Sequence, residues 1–145
     1  IYLFYLFYYL INLLISLLGQ WPSILGKKGE EKLLRIQIDP KFVTVNEPFK
    51  RKPPIRTEDS LVVIFEGGTF IKLGVEEETK AVFETGVVSY WRYYPYFVLS
   101  DEILHKMSKS PIKQVSIVIG GKKQQRKLRK GQQSRIMNAA KCVLQ

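Results

Sequence analysis

Hydrophobic residues fall into two regimes along this chain. Over residues 1–18, IYLFYLFYYLINLLISLL, the apolar run is broken only by Asn12 and Ser16. Beyond Trp21 apolar residues come in short alternating runs, separated by Gly, Pro and charged clusters. The first regime predicts a helix that is apolar around its whole circumference. At 1.5 Å per residue it would be about 27 Å long, close to the hydrocarbon thickness of a bilayer. Tyr2, Leu6, Leu10 and Leu14 would lie within the span and Trp21 at its interfacial end, with Pro22 stopping the helix. A helix buried in a large assembly is a second reading, because Tyr2, Tyr5, Tyr8 and Tyr9 want hydroxyl partners that neighbouring helices supply. A cleaved leader is a third, but the run is long for one and lacks a small-residue cleavage site. Lys27 and Lys28 follow the span, which puts the downstream domain on the cytoplasmic or equivalent side.

The second regime has the period of strands. Gly26 to Gly29 reads as a polar hinge. In LLRIQI, Leu34, Ile36 and Ile38 share one side and Arg35 and Gln37 the other, the pattern of a half-buried strand. FVTV, residues 42–45, is a second strand. Residues 46–60 carry three prolines and mixed charge, and read as a long exposed connection. LVVIFEGGTFIKL predicts a hairpin, with strands over residues 61–66 and 69–73 and a two-residue primed turn at Gly67-Gly68. An acidic loop, GVEEETK, leads to two more strands around a turn at Thr85-Gly86. Ser100 is placed to cap a short helix whose first turn holds Asp101 and Glu102. Ile103, Leu104 and Met107 give it an apolar face, and Ser110-Pro111 closes it. IKQVSIVI predicts a last strand through Val115, Ile117 and Ile119, ended by Gly120-Gly121.

The expected fold is therefore α+β. A transmembrane anchor occupies residues 1–25. A small, mostly antiparallel β domain with one short helix spans 26–121, and a basic, helical C-terminal tail spans 122–145, with Gly131 as a break.

SYWRYYPYFVLS, residues 89–100, concentrates rings. On a strand Tyr90, Arg92, Tyr94 and Tyr96 share one face, and Trp91, Tyr93 and Phe97 the other. Trp91 and Phe97 suit a core, whereas Arg92, Tyr94 and Tyr96 form an amphipathic face suited to a partner. Packing of all these rings within the domain is the competing reading. Pro95 lacks a ladder amide, so the strand is an edge or ends there.

Charge changes the picture at the C-terminus. The net charge is +10, yet residues 103–145 hold eleven Lys or Arg and no Asp or Glu. Lys122, Lys123, Arg126, Lys127, Arg129 and Lys130 are the expected contacts to anionic lipid or nucleic acid. One cysteine, Cys142, excludes an internal disulfide framework and reads as a small apolar residue. Asp101 and His105, four apart on a helix, share a face, but two ligands fall short of a metal site. No nucleophile elbow, paired-cysteine pattern or dinucleotide fingerprint occurs.

These features point to a non-enzymatic accessory or assembly subunit of a membrane complex. Its expected partners are the lipid bilayer, other subunits of that complex and anionic headgroups, with no cofactor or metal. A basic component of a nucleoprotein assembly, such as an organelle ribosome, is the alternative. A small-ligand-binding β domain is a weaker one.

Overall fold

The computed structural model describes residues 23–28, 30–39, 52–85 and 90–145. The expected membrane helix with its interfacial Trp21, the strand expected at 42–45 and the turn residue Gly86 lie outside these. Among the described residues, no helix is long and apolar enough to cross a membrane.

Within them the chain forms a small β domain with two helices. The strands are β1 (Ser23–Lys28), β2 (Glu31–Ile36), β3 (Ser60–Phe65), β4 (Phe70–Gly74), β5 (Val82–Glu84), β6 (Tyr90–Arg92), β7 (Tyr96–Val98), β8 (Ile112–Ile119) and β9 (Lys122–Lys127). The helices are α1 (Asp101–Lys109), between β7 and β8, and α2 (Lys130–Leu144), after β9. One sheet has the order β1-β2-β7, a second β4-β3-β8-β9, and β5 pairs with β6 alone. All these pairings are antiparallel.

The period-2 patterns choose the buried faces. Leu61, Val63 and Phe65 on β3, Leu73 on β4, and Val115, Ile117 and Ile119 on β8 point inward. Leu34, Ile36 and Ile38 do the same from β2 and its extension. Opposite them stand Phe97 and Tyr93, so both partners of the Leu34–Phe97 and Ile38–Tyr93 pairs are buried. Leu104 and Met107 of α1 and Ala140 and Val143 of α2 complete the same core. Fully burying such a side chain contributes about 1.5–3 kcal/mol.

Ser100 caps α1 as expected, its hydroxyl accepting from the Ile103 amide at 3.3 Å. The Ser110 amide closes the last turn on the Lys106 carbonyl at 2.9 Å.

Several expectations are corrected. The hinge at Gly26 is part of β1, which begins at Ser23 and so inside the stretch assigned to the anchor. Its polar sequence is tolerated because β1 is an edge among the described strands. The Pro-rich connection is not wholly exposed. Ile55 is buried and bridges to Thr79, and the Pro53 carbonyl accepts the Tyr93 hydroxyl at 2.6 Å.

The Gly67-Gly68 turn has three residues, not two. The Phe65 amide bonds the Thr69 carbonyl, the Gly68 amide bonds the Phe65 carbonyl, and only Gly68 has positive φ (82°). That is a type I turn followed by a left-handed residue. The two-residue primed turn lies at Gly120-Gly121, where Ile119 faces Lys122 and φ is 54° and 77°.

This turn also corrects the helical tail. It folds residues 122–127 back as β9, paired residue for residue with β8. Helix preferences of a few tenths of a kcal/mol for Lys, Gln and Arg yield to that ladder. Helix begins only at Lys130, where Gln132 Oε1 accepts from the Arg129 amide at 2.7 Å, and Gly131 lies within it.

Candidate interaction surfaces

The ring-rich segment divides as its alternation predicts. Tyr93, Pro95, Phe97 and Leu99 are buried, while Arg92, Tyr94 and Tyr96 are half-buried on the opposite face. Trp91, expected in the core, is only half-buried and packs on Phe83 of β5, with ring centroids 5.1 Å apart. Pro95 takes part in the ladder one way. Its carbonyl accepts from the Ile36 amide at 3.1 Å, and it has no N–H to return. The ladder continues beyond it through Tyr96, Phe97 and Val98, and the Leu99 amide extends it to the Lys32 carbonyl at 2.8 Å.

Arg92 and Tyr94 engage their own chain. Arg92 Nε donates to Asp39 and its Nη1 to Glu84, each at 2.7 Å. Tyr94 donates its hydroxyl to the same Glu84, and the Arg35 guanidinium lies 5.0 Å from the Tyr94 ring centroid. Burial alone would loosen the Arg92 proton, but Asp39 and Glu84 outweigh it and raise its pKa. Burial, then Glu84, raises that of Tyr94. Tyr96 stands apart from this network. Its pKa is also raised, by desolvation and then by Glu77. Tyr93, on the core side, is pushed up to about 12 by burial.

The six expected tail cations separate. Strand alternation sends Lys123 and Lys127 to one face of β9, and Lys122 and Arg126 to the other, where Gln124 between them is buried. Arg129 and Lys130 lie exposed at the start of α2. Cations there oppose the helix dipole, which costs about 0.3–1 kcal/mol each, so helix stability does not account for them. α2 turns Ala140 and Val143 inward and packs against α1, β8 and β1. Gln133 ties it to the β3–β4 loop through Glu66 Oε1 at 3.0 Å.

The register reveals a face that the sequence reading did not assemble. Across the outer side of the four-stranded sheet, Phe70 stands opposite Ile64, Ile64 opposite Gln114, and Gln114 opposite Lys127. The next row is Lys72, Val62, Ser116 and Gln125, and Val118 faces Lys123 beyond it. Phe70 is 59 % exposed and Val118 49 %. No Asp or Glu occupies a strand position of this face. Phe70, Lys72 and Val118 were missed because each looks ordinary alone. The usable signal was the two hairpin turns, which fix which side chains become neighbours.

Asp101 pairs with Lys32 of β2, and the His105 carbonyl accepts from the Ser108 hydroxyl at 2.8 Å. Among the described residues no group of three His, Cys, Asp or Glu is placed to hold a metal ion. Cys142 is exposed. No protein-family model, curated protein or solved structure matches the chain.

Proposed function

We propose that the protein is a non-enzymatic accessory subunit of a membrane complex. Its apolar N-terminal segment tethers it, and its basic C-terminal third meets anionic headgroups and neighbouring subunits. The packing of α2 against β1 carries this reading. β1 directly follows the apolar stretch, so the fold brings the basic end of the chain back to the strand nearest the tether. Each cation held near an anionic leaflet contributes about 1 kcal/mol. Tethering raises the local concentration of the headgroups they meet.

The same cations suit a nucleic-acid backbone. Surfaces that hold single strands stack successive bases on several rings. Phe70 is the only ring among the described large hydrophobic residues that are exposed, which favours lipid.

The test is membrane fractionation with alkaline carbonate washing, followed by a pull-down in mild detergent. The chain is expected in the washed membrane with a defined set of subunits. A mid-span Arg costs roughly 2.5–3.5 kcal/mol on insertion scales, so Leu10→Arg is expected to release it. Release of the unaltered chain by carbonate, or co-purification with RNA in high salt, would overturn the proposal.

A further inference from the structure

The outer face of the β4-β3-β8-β9 sheet departs from the usual chemistry of a solvated sheet face. An antiparallel sheet with one packed side normally alternates apolar inward and polar outward. Here the inward side is fully apolar from β4 to β8, yet the outward side again carries Phe70, Ile64, Val62 and Val118. α1 and α2 supply Leu104, Met107, Ala140 and Val143 to the core on the other side. Lysines flank the outward apolar strip, Lys72 on β4 and Lys123 and Lys127 on β9. The turn at Gly120-Gly121 fixes this pattern. A one-residue slip of β9 would exchange Lys123 and Lys127 for Lys122 and Arg126.

We infer that this face docks on the headgroup layer of an anionic bilayer, with Phe70 and Val118 entering the interface and Lys72, Lys123 and Lys127 meeting lipid phosphates. The inference rests on the membrane reading above and names the surface that makes the contact. Charge complementarity selects the partner: the strand positions of the face are cationic or neutral, and an anionic surface answers the lysines. The apolar strip selects lipid over a soluble polyanion. Apolar side chains between cations gain from a medium that is charged at its surface and greasy beneath it.

The full chain, in lipid nanodiscs, is the object to test. Cys142→Ser removes the exposed native thiol, and Phe70→Cys or Val118→Cys then carries an environment-sensitive NBD label. Glu78→Cys, in the exposed acidic loop, is the control site. Discs of neutral phosphatidylcholine are compared with discs containing phosphatidylserine. The label at residue 70 or 118 is expected to shift to the blue and brighten only in anionic discs. Lys72→Ser, Lys123→Ser and Lys127→Ser together should abolish the shift, and the label at residue 78 should not respond. Circular dichroism of each labelled chain confirms folding, and the second label stands in if one variant fails. Recovery in the discs with identical emission in both lipids overturns the docking face and leaves the tether intact. A shift produced by single-stranded RNA and not by anionic lipid overturns it in favour of nucleic acid. Failure of the unaltered chain to enter discs overturns the membrane reading itself.

Discussion

Arg92 and Lys123 both project from strands into partly aqueous surroundings, and their neighbourhoods are opposite. Arg92 is held between Asp39 and Glu84, with Tyr94 sharing Glu84. Lys123 shares its face with Val118, Gln125, Lys127 and Lys72, and with no acid at any strand position. In the first region the chain neutralises its own cation and uses it to clip β5 and the end of the β2 extension to the ring-rich strand. In the second the sheet presents cations beside exposed apolar side chains. The proposed contact is placed on the second, because a charge consumed in holding the fold has little left to give a partner. Of the three residues expected to meet a partner, Arg92 and Tyr94 are engaged by this network, and Tyr96 lies outside it with Glu77 as its neighbour.

The largest effect is expected where the basic strand is put in place. At Gly120 the φ of 54° disfavours any side chain, and an added Cβ would overlap Pro53. Left-handed strain of roughly 1–2 kcal/mol and overpacking of roughly 1–3 kcal/mol predict that Gly120→Val loses about 3 kcal/mol. Gly67→Ala, with ordinary φ and open space, should stay within about 0.5 kcal/mol. Urea unfolding of the detergent-solubilised chain compares the two. Equal losses would show that β9 is not presented by that turn.

Next comes Arg92→Ala. Hydrogen bonds to charged groups contribute roughly 1.5–3 kcal/mol, discounted here because Asp39 is 46 % exposed and Glu84 32 %. A loss of about 1–2 kcal/mol is expected, in the same unfolding assay. No loss would place Arg92 with the cations available to a partner.

Tyr93→Phe removes the bond to the Pro53 carbonyl and should cost about 1 kcal/mol. It also carries a pH signature. The folded Tyr93 pKa, about 12, lies above the ordinary value of 10, so its contribution is complete below pH 10 and is lost as pH rises towards 12. The variant should show a shallower alkaline fall in melting temperature. Part of the fall should remain, because the pKa values of Tyr94 and Tyr96 are raised in the same direction.

The smallest stability effect is expected on the basic face. Lys123→Ala and Lys127→Ala should each change unfolding free energy by less than about 0.5 kcal/mol. A larger loss would mean that these lysines serve the fold, as Arg92 does.

Local alternation made much of this fold legible. The buried sides of β2, β3 and β8 and the split of the ring-rich strand follow from period 2, and the start of α1 from Ser100 and the acids behind it. What alternation could not convey was which of two glycine pairs takes the primed turn. Gly67-Gly68 and Gly120-Gly121 look alike in sequence, and the difference lies in the three-residue count between Phe65 and Thr69 and in the approach of Pro53 to Gly120. Without that turn residues 122–127 have only their helix preference, since Lys, Gln and Arg favour helix when nothing opposes them. The candidate face was hidden for the same reason: Phe70, Val118 and Lys123 are distant in sequence and meet only through the β3–β4, β3–β8 and β8–β9 registers. The pairing of Arg92 with Asp39, 53 residues apart, was equally beyond any local pattern.

Hydrogen–deuterium exchange of the full chain in neutral and anionic nanodiscs tests the contrast between the two regions most directly. Among the described strands β9 is an edge, so amides not bonded to β8 are open to exchange unless a surface covers them. The account predicts that anionic lipid slows exchange in Lys122–Lys127 and Phe70–Gly74 and leaves Val82–Glu84 and Tyr90–Arg92 unchanged. Slowed exchange in β5 and β6 with none in β9 would contradict it, and would return the contact surface to the ring-rich strand.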